Sequence, residues 1–252
     1  MRARAEAKLL SRILRIGLLA AVLGQIAWSF RPSTTEAQTD QVRAGQSLYE
    51  TNCTTCHGLQ AEGTANGPTL QGLGPASVDF MLSSGRMPLA NPKDQPMRGE
   101  PKFTPDQIDA IVAYVATIAP GGEPVPTVTP GNGSLATGSE TFLNNCAACH
   151  GAGATGDSVG GGQIAPSLVP PDATQIGEAV RTGPGVMPRF GPKTIDDHEL
   201  DSLAAYLIWI RDHGDEGGLQ LGRVGAVAEG FIAVVIGLGL LVLVVRLTGS
   251  KV

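Results

Sequence analysis

Aromatic side chains are scarce in this sequence, only 4% of its 252 residues. A chain of this length can form two modest domains. With so few large rings, each would have a thin core unless something large and apolar were added to it. Positive charge is also in short supply. A net charge of −5 and the lack of any basic patch interleaved with aromatics argue against a nucleic-acid partner. No glycine loop follows a strand pattern in the way a phosphate cradle requires. No Ser-His-Asp array or carboxylate pair marks a bond-making site. Cysteine is limited to four residues, and all four fall in two copies of one pattern. CTTCHG runs from Cys53 to Gly58, and CAACHG from Cys146 to Gly151.

The two ends differ from the middle. Arg2, Arg4, Lys8, Arg12 and Arg15 face a single acid, Glu6, and the apolar run Ile16 to Phe30 follows. A basic stretch before an apolar one is the pattern of an export signal or a signal anchor, placed at residues 1–39. At the other end an apolar stretch reaches from Val224 to Val245, interrupted only by Glu229. That length predicts a transmembrane helix over residues 224–246, since a span takes about 20 apolar residues. Gly230, Gly237 and Gly239 are tolerated in such helices. Arg246 and Lys251 beyond it favour a cytoplasmic C-terminus, and Arg2 to Arg15 favour a cytoplasmic N-terminus. The segment between them is then extracytoplasmic, and the chain lies in the plasma membrane.

The middle is a tandem duplication. GQSLYETNCTTCHG (Gly45 to Gly58) matches GSETFLNNCAACHG (Gly138 to Gly151), with the glycine eight residues before the first cysteine in both. Tyr49 stands opposite Phe142. GPTL from Gly67 resembles APSL from Ala165, and SGRMP (Ser84 to Pro88) resembles GPGVMP (Gly183 to Pro188). IDAIVAYVATI (Ile108 to Ile118) matches LDSLAAYLIWI (Leu200 to Ile210), with Tyr114 opposite Tyr206. The first domain is predicted over residues 40–119 and the second over 135–222. The stretch 120–134, with Pro124, Pro126 and Pro130, reads as an extended, semi-stiff linker loosened by flanking glycines.

Each copy reads as helix, motif, long loop, methionine loop, helix. Thr104 is an N-cap with Pro105 at the first helical position. Ile108, Ile111, Val112 and Val115 then recur at helical spacing. Leu200, Leu203, Ala204 and Leu207 do the same after Asp196 and Asp197. The glycine-rich stretch Gly151 to Gln163 reads as surface loop. No strand pattern competes, so the fold class is all-α.

Two cysteines three residues apart present their sulfurs on one side of a helical turn. There they can form thioethers to the two vinyl groups of one haem, with the following histidine reaching the iron. C-x-x-C-H thus marks Cys53, Cys56 and His57, and again Cys146, Cys149 and His150, as c-type attachment sites for two covalently bound haem c groups. Each macrocycle also fills a thin core. Three other readings stay open on these residues. The pairs could serve zinc, although they stand 93 residues apart (Cys53 to Cys146), each with its own histidine. A thioredoxin-like pair would want a strand before it. Two disulfides suit an exported protein.

A haem iron needs a sixth ligand. Met87 and Met187 hold equivalent places, each before a proline that favours extended backbone. A thioether opposite histidine raises the reduction potential. Met81 and Met97 compete locally with Met87, but Met97 has no counterpart in the second copy. His198 and His213 are unmatched by the first repeat and read as solvated. Tyr49, Tyr114, Phe142 and Tyr206 read as core packing where first and last helices cross.

Each copy resembles a class I cytochrome c domain, with C-x-x-C-H, a methionine before proline and a closing helix bearing an aromatic. The order of the whole chain resembles the dihaem cytochrome c subunit of the actinobacterial menaquinol–cytochrome c reductase, the cytochrome bcc complex. That order is a basic apolar N-terminus, two such domains and a membrane helix led by Ala228 to Gly230. The resemblance implies partners: a cytochrome b subunit, a Rieske iron–sulfur subunit, a terminal cytochrome c oxidase and membrane lipid. It implies that the first haem accepts an electron from the Rieske centre and that the second passes it to the oxidase, as an electron-transfer subunit of a quinol–cytochrome c reductase. The local motifs would equally suit a cytochrome subunit of an exported dehydrogenase or another oxidase. A dihaem peroxidase would need an open haem ligand position, against which the two matched methionines stand.

Overall fold

A computed structural model describes residues 34–213 and 230–249. Within the first repeat, α1 (Thr34–Asn52) leads into the single turn α2 (Thr54–His57). Helices α3 (Pro75–Ser83) and α4 (Pro105–Ile118) follow. The second repeat has the same order: α5 (Leu135–Asn145), the single turn α6 (Ala147–His150), α7 (Ala173–Thr182) and α8 (Asp197–Asp212). The signal or anchor predicted over residues 1–39 lies outside the described residues up to residue 33. Its last residues, 34–39, form the start of α1.

The closing helices start where local chemistry says they should. At α4 the Thr104 hydroxyl accepts from the Gln107 amide while the Gln107 side chain accepts from the Thr104 amide. Asp196 and Glu199 form the same reciprocal box at the start of α8. Each box satisfies two otherwise orphaned donors. The buried positions of α4 are Ile108, Ala110, Ile111, Tyr114 and Val115, an apolar stripe at helical spacing.

That stripe packs on α1, and the equivalent stripe of α8 packs on α5. Each crossing has a tilted aromatic pair at its centre. Tyr49 and Tyr114 have ring centroids 5.5 Å apart, and Phe142 and Tyr206 5.8 Å apart. Such tilted pairs contribute about 1 kcal/mol beyond the area they bury. One core gathers Tyr49, Leu82, Ile108, Ile111 and Tyr114; the other gathers Phe142, Ile176, Leu200, Leu203 and Leu207. The two cores are distinct.

The structure departs from the sequence reading at three places. The stretch read as surface loop carries a small antiparallel hairpin, β1 (Asp157–Gly160) with β2 (Gln163–Ala165), in which Asp157 faces Ala165. Gly161 and Gly162 both take positive φ, 58° and 76°, as a two-residue hairpin turn requires. The pattern was hidden because β1 is exposed throughout and shows no alternation.

The stretch read as a linker is not loosened by its glycines. Gly122 takes a positive φ of 71°, and a Cβ there would stand 2.3 Å from the Gly74 nitrogen. Glu123 accepts from the Ala76 amide at 3.0 Å, and the Thr129 amide donates to Asp201 at 2.7 Å. The segment is therefore tied to both repeats. Helices α3 and α7 also meet across the repeats. Gln175 donates to Ser83 at 3.2 Å and accepts from Arg98, while Gln95 exchanges two hydrogen bonds with the backbone of Ile164.

The predicted span over 224–246 is not one uninterrupted α-helix. Residues 224–229 lie outside the described residues. A π-helical turn, Ile232–Gly237, precedes α9 (Leu238–Thr248), and the side chains of both are exposed. Among the described residues no helix is long and apolar enough to cross a membrane. The interruption coincides with glycines and a run of β-branched residues, both weak helix formers.

Candidate haem sites

Each C-x-x-C-H motif sits on a one-turn helix closed by its own cysteine. The His57 amide donates to the Cys53 carbonyl at 2.9 Å, and the His150 amide to the Cys146 carbonyl at 2.9 Å. That turn holds the two sulfurs and the imidazole on neighbouring positions. The chain then folds back identically in both copies. Gly63 donates to the His57 carbonyl, and Gly156 to the His150 carbonyl. Leu70 donates to Ala61, and Leu168 to Ala154. Ala61 and Ala154 are fully buried and take left-handed backbone, φ 58° and 57°. A residue with a Cβ is disfavoured there by about 1 kcal/mol, so the turn is held by its surroundings.

The fold-back delivers a proline carbonyl to each histidine. His57 Nδ1 lies 2.8 Å from the Pro68 carbonyl oxygen, and His150 Nδ1 lies 2.9 Å from that of Pro166. A carbonyl can only accept, so Nδ1 carries the proton in both rings. Nε2 keeps its lone pair, which is the tautomer that binds a metal. Burial holds His150 below its ordinary value, against the smaller raising effect of the Pro166 carbonyl. The ring is therefore kept neutral, as a ligand must be.

The four thiols are unpaired. Burial pushes the Cys53 thiol up to about 11, helped by its neighbour Cys56. Cys146 rises likewise to about 11, through burial and then Cys149. Such sulfurs are uncharged at neutral pH, unlike the reactive thiolates of redox sites. Among the described residues no group of three or more His, Cys, Asp or Glu side chains is placed to hold a metal ion. Neither motif thus gathers the donor set of a closed zinc site.

Met87 and Met187 are half-buried and pack against the first and second core respectively. Met97 is 45% exposed and belongs to neither core. The Met81 carbonyl accepts from the Arg86 and Met87 amides at 2.9 and 3.0 Å. Met81 thus anchors the loop that presents Met87. His198 is exposed, and His213 stacks on Trp209 at 5.0 Å, beyond the Phe142–Tyr206 pair. A haem fits the remaining donors: two thiols on one turn, an imidazole whose Nε2 keeps its lone pair, and a thioether packed on the core of the same repeat.

Several residues that build these sites were not singled out in the sequence. Pro68 and Pro166 lie inside the matched GPTL and APSL, and the pattern C-H-G-x-x-A-x-G is shared in full by both copies. That identity was the available signal. Arg181 gave none. It is buried on α7, donates to the carbonyls of Phe190 (3.1 Å) and Ile195 (2.7 Å), and pairs with Asp197 at 2.8 Å. It fastens the far side of the Met187 loop. Arg86, next to Met87, is buried with its guanidinium 4.6 Å from the centroid of Phe80. Burial draws it down to about 10.

The family model described as cytochrome c matches residues 42–119, and that for subunit III of cbb3-type cytochrome c oxidase matches residues 133–207. A cytochrome bc1 complex cytochrome c subunit of Mycobacterium tuberculosis is 35% identical over 233 residues, covering 86% of this chain and 82% of the relative. One of Corynebacterium efficiens is 33% identical over 263 residues, covering 94% and 87%. The cbb3-type oxidase subunit CcoP of Azospirillum is 31% identical over 185 residues, covering 65% and 60%. With two cytochrome c domains and these relatives along most of its length, the chain belongs to the family of cytochrome c subunits of the cytochrome bc1 complex.

Proposed function

We propose that this chain carries two covalently bound haem c groups and relays electrons from a Rieske iron–sulfur subunit to a terminal cytochrome c oxidase. Cys53 and Cys56 hold the first haem by thioethers, and Cys146 and Cys149 the second. His57 and Met87 would be the ligands of one iron, and His150 and Met187 those of the other. A haem so held supplies reversible one-electron chemistry. The chain's own residues do the rest. The Pro68 and Pro166 carbonyls fix the tautomer and orientation of the two imidazoles. Met87 and Met187, half-buried against the two cores, would each offer a thioether to the iron and so raise its potential.

The observation that carries this reading is the pair of Nδ1–carbonyl contacts, at 2.8 and 2.9 Å, in matched positions. Two folded-back loops have each spent a carbonyl on presenting a histidine Nε2.

The relatives are named as subunits of a cytochrome bc1 complex. This supports assembly with a cytochrome b subunit and the Rieske subunit in the plasma membrane. In this reading residues 1–39 export or anchor the chain, residues 224–246 cross the lipid with their π-helical turn inside it, and the haem domains (40–119 and 135–222, joined by 120–134) face outward. Holding both domains at the membrane raises their local concentration beside the partners. The oxidase-type family match over 133–207 favours one second reading, an oxidase subunit. The test is purification of the intact membrane assembly, with identification of its subunits and a count of haem c per chain. Two haems per chain with cytochrome b and the Rieske protein are expected. A single haem, or copurification with oxidase subunits alone, would overturn the reading.

A further inference from the structure

A buried polar cluster lies between α3 and α7, apart from the ligands proposed above. Glu178 of α7 is 0% exposed. Both its carboxyl oxygens are sealed from solvent, and no N–H or alcohol of a neighbour donates to either. The carboxyl of Asp79 on α3, in the other repeat, lies beside it. Two carboxyl groups can share a hydrogen bond only when one of them carries a proton.

The surroundings decide that the proton is held. Asp172, at the start of α7, and Asp109, on α4, add negative charge to the cluster. The nearby cations Arg86 and Arg98 each keep one buried nitrogen, Nη1 and Nε respectively, without a partner, and neither meets the Glu178 carboxyl. Arg98 is bonded to Gln175, and Arg86 lies over the Phe80 ring. Arg181, also on α7, faces Asp197 of α8. Ionised, Glu178 would be a buried charge beside other acids with no donor to meet it. Its residence on α7 is the more buried of the two, since Asp79 is only half-buried.

We propose that Glu178 and Asp79 form a proton-held clasp between the two cytochrome c domains: neutral Glu178 donates to Asp79, and removing that proton releases α7 from α3. The bridges beside it, Gln175 to Ser83 and Gln95 to Ile164, belong to the same interface and open with it.

The sign follows from burial. Glu178 is raised from 4.5 to about 10, first by burial and then by Asp79. When the interface opens, the group returns towards its ordinary value and loses its proton. The contact is therefore strongest below the ordinary glutamate value. It weakens as pH rises and is lost above about 10. In the window between, one proton is released per opening, so the opening equilibrium rises about tenfold per pH unit.

The experiment uses the full haem-loaded chain in detergent. Infrared spectroscopy reads the carbonyl stretch of a protonated carboxyl, and hydrogen exchange reads opening at α3 and α7 after correction for intrinsic base catalysis. The expected result is a protonated-carboxyl band at neutral pH that disappears in alkali and is missing from Glu178→Gln. Interface opening should rise about tenfold per pH unit in the parent protein and be flat in Glu178→Gln. Asp79→Asn keeps Glu178 but removes the charge beside it, so the midpoint of its band falls to lower pH; this arm does not depend on Glu178→Gln folding. A neutral-pH spectrum without the band would overturn the proposal. So would equal pH slopes in parent and Glu178→Gln, an unmoved midpoint in Asp79→Asn, or opening governed by a divalent-cation chelator in place of pH.

Discussion

Gly45 of α1 lies against the backbone of Ala110 in α4 so closely that a Cβ at Gly45 would stand 1.8 Å from the Ala110 carbonyl oxygen. Gly138 of α5 meets Ser202 of α8 in the same way, at 2.0 Å. The first and last helices of each domain thus cross backbone to backbone, and the aromatic pairs close over the crossing. A carbonyl in mid-helix cannot give way as a flexible side chain can. Gly45→Ala and Gly138→Ala should each destabilise their own domain by about 3 kcal/mol, at the upper end of overpacking costs. Denaturant unfolding of the haem-loaded protein, followed by tryptophan and haem absorbance, checks this; unchanged midpoints would contradict the crossing.

Removing the attachment sulfurs separates the two sites. Cys53→Ala with Cys56→Ala should halve haem c per chain and leave the second site intact, and Cys146→Ala with Cys149→Ala should do the converse. A pyridine haemochrome assay per mole of chain reads the result. Loss of both haems from either pair would show that the domains do not load independently.

The methionines should behave alike despite their different loops. Met87→Ala or Met187→Ala opens one iron, lowers the reduction potential of that haem alone, and admits carbon monoxide to the ferrous protein at neutral pH. Optical redox titration and carbon monoxide difference spectra measure both effects. Met97→Ala, at an exposed position, should change neither.

Arg181 gives a sharper test of the second site. Arg181→Met keeps much of the volume but leaves the carbonyls of Phe190 and Ile195 without their donor. Each buried orphan costs about 1–3 kcal/mol. The Met187 loop should loosen, with the sulfur–iron absorption band of the second haem weakened and that of the first unchanged. An unaltered band together with lowered stability would make Arg181 a purely structural residue.

Tyr49 distinguishes the two copies. Its hydroxyl donates to the Gly58 carbonyl at 2.8 Å, just past His57, whereas Phe142 at the matched position has no hydroxyl. Tyr49→Phe should cost about 1 kcal/mol, read from the unfolding midpoint of the first domain. Phe142→Tyr should give no matching gain.

Much of each site was legible because its chemistry is local. Cys53, Cys56 and His57 occupy one turn, and so do Cys146, Cys149 and His150; a spacing of three residues fixes their side on any helix. The capping boxes at Thr104 and Asp196 need only four consecutive residues. The hairpin at residues 157–165 was not legible, since an exposed strand shows no alternation and its two turn glycines sit in a longer glycine run. Arg181 and Glu178 were not legible either. A charged residue on an amphipathic helix reads as solvated until the partner element is known.

What the sequence determined by itself is the duplication, the helix starts and the two C-x-x-C-H turns, because these depend on interactions within a few residues of chain. Only the tertiary structure decided which carbonyl orients each histidine, why glycine stands eight residues before each motif, and how the domains meet at Asp79 and Glu178. Those contacts join residues from 11 positions apart, as between His57 and Pro68, to nearly a hundred. No local preference encodes them, and they exist only once packing has closed the loops and excluded water from the groups they join.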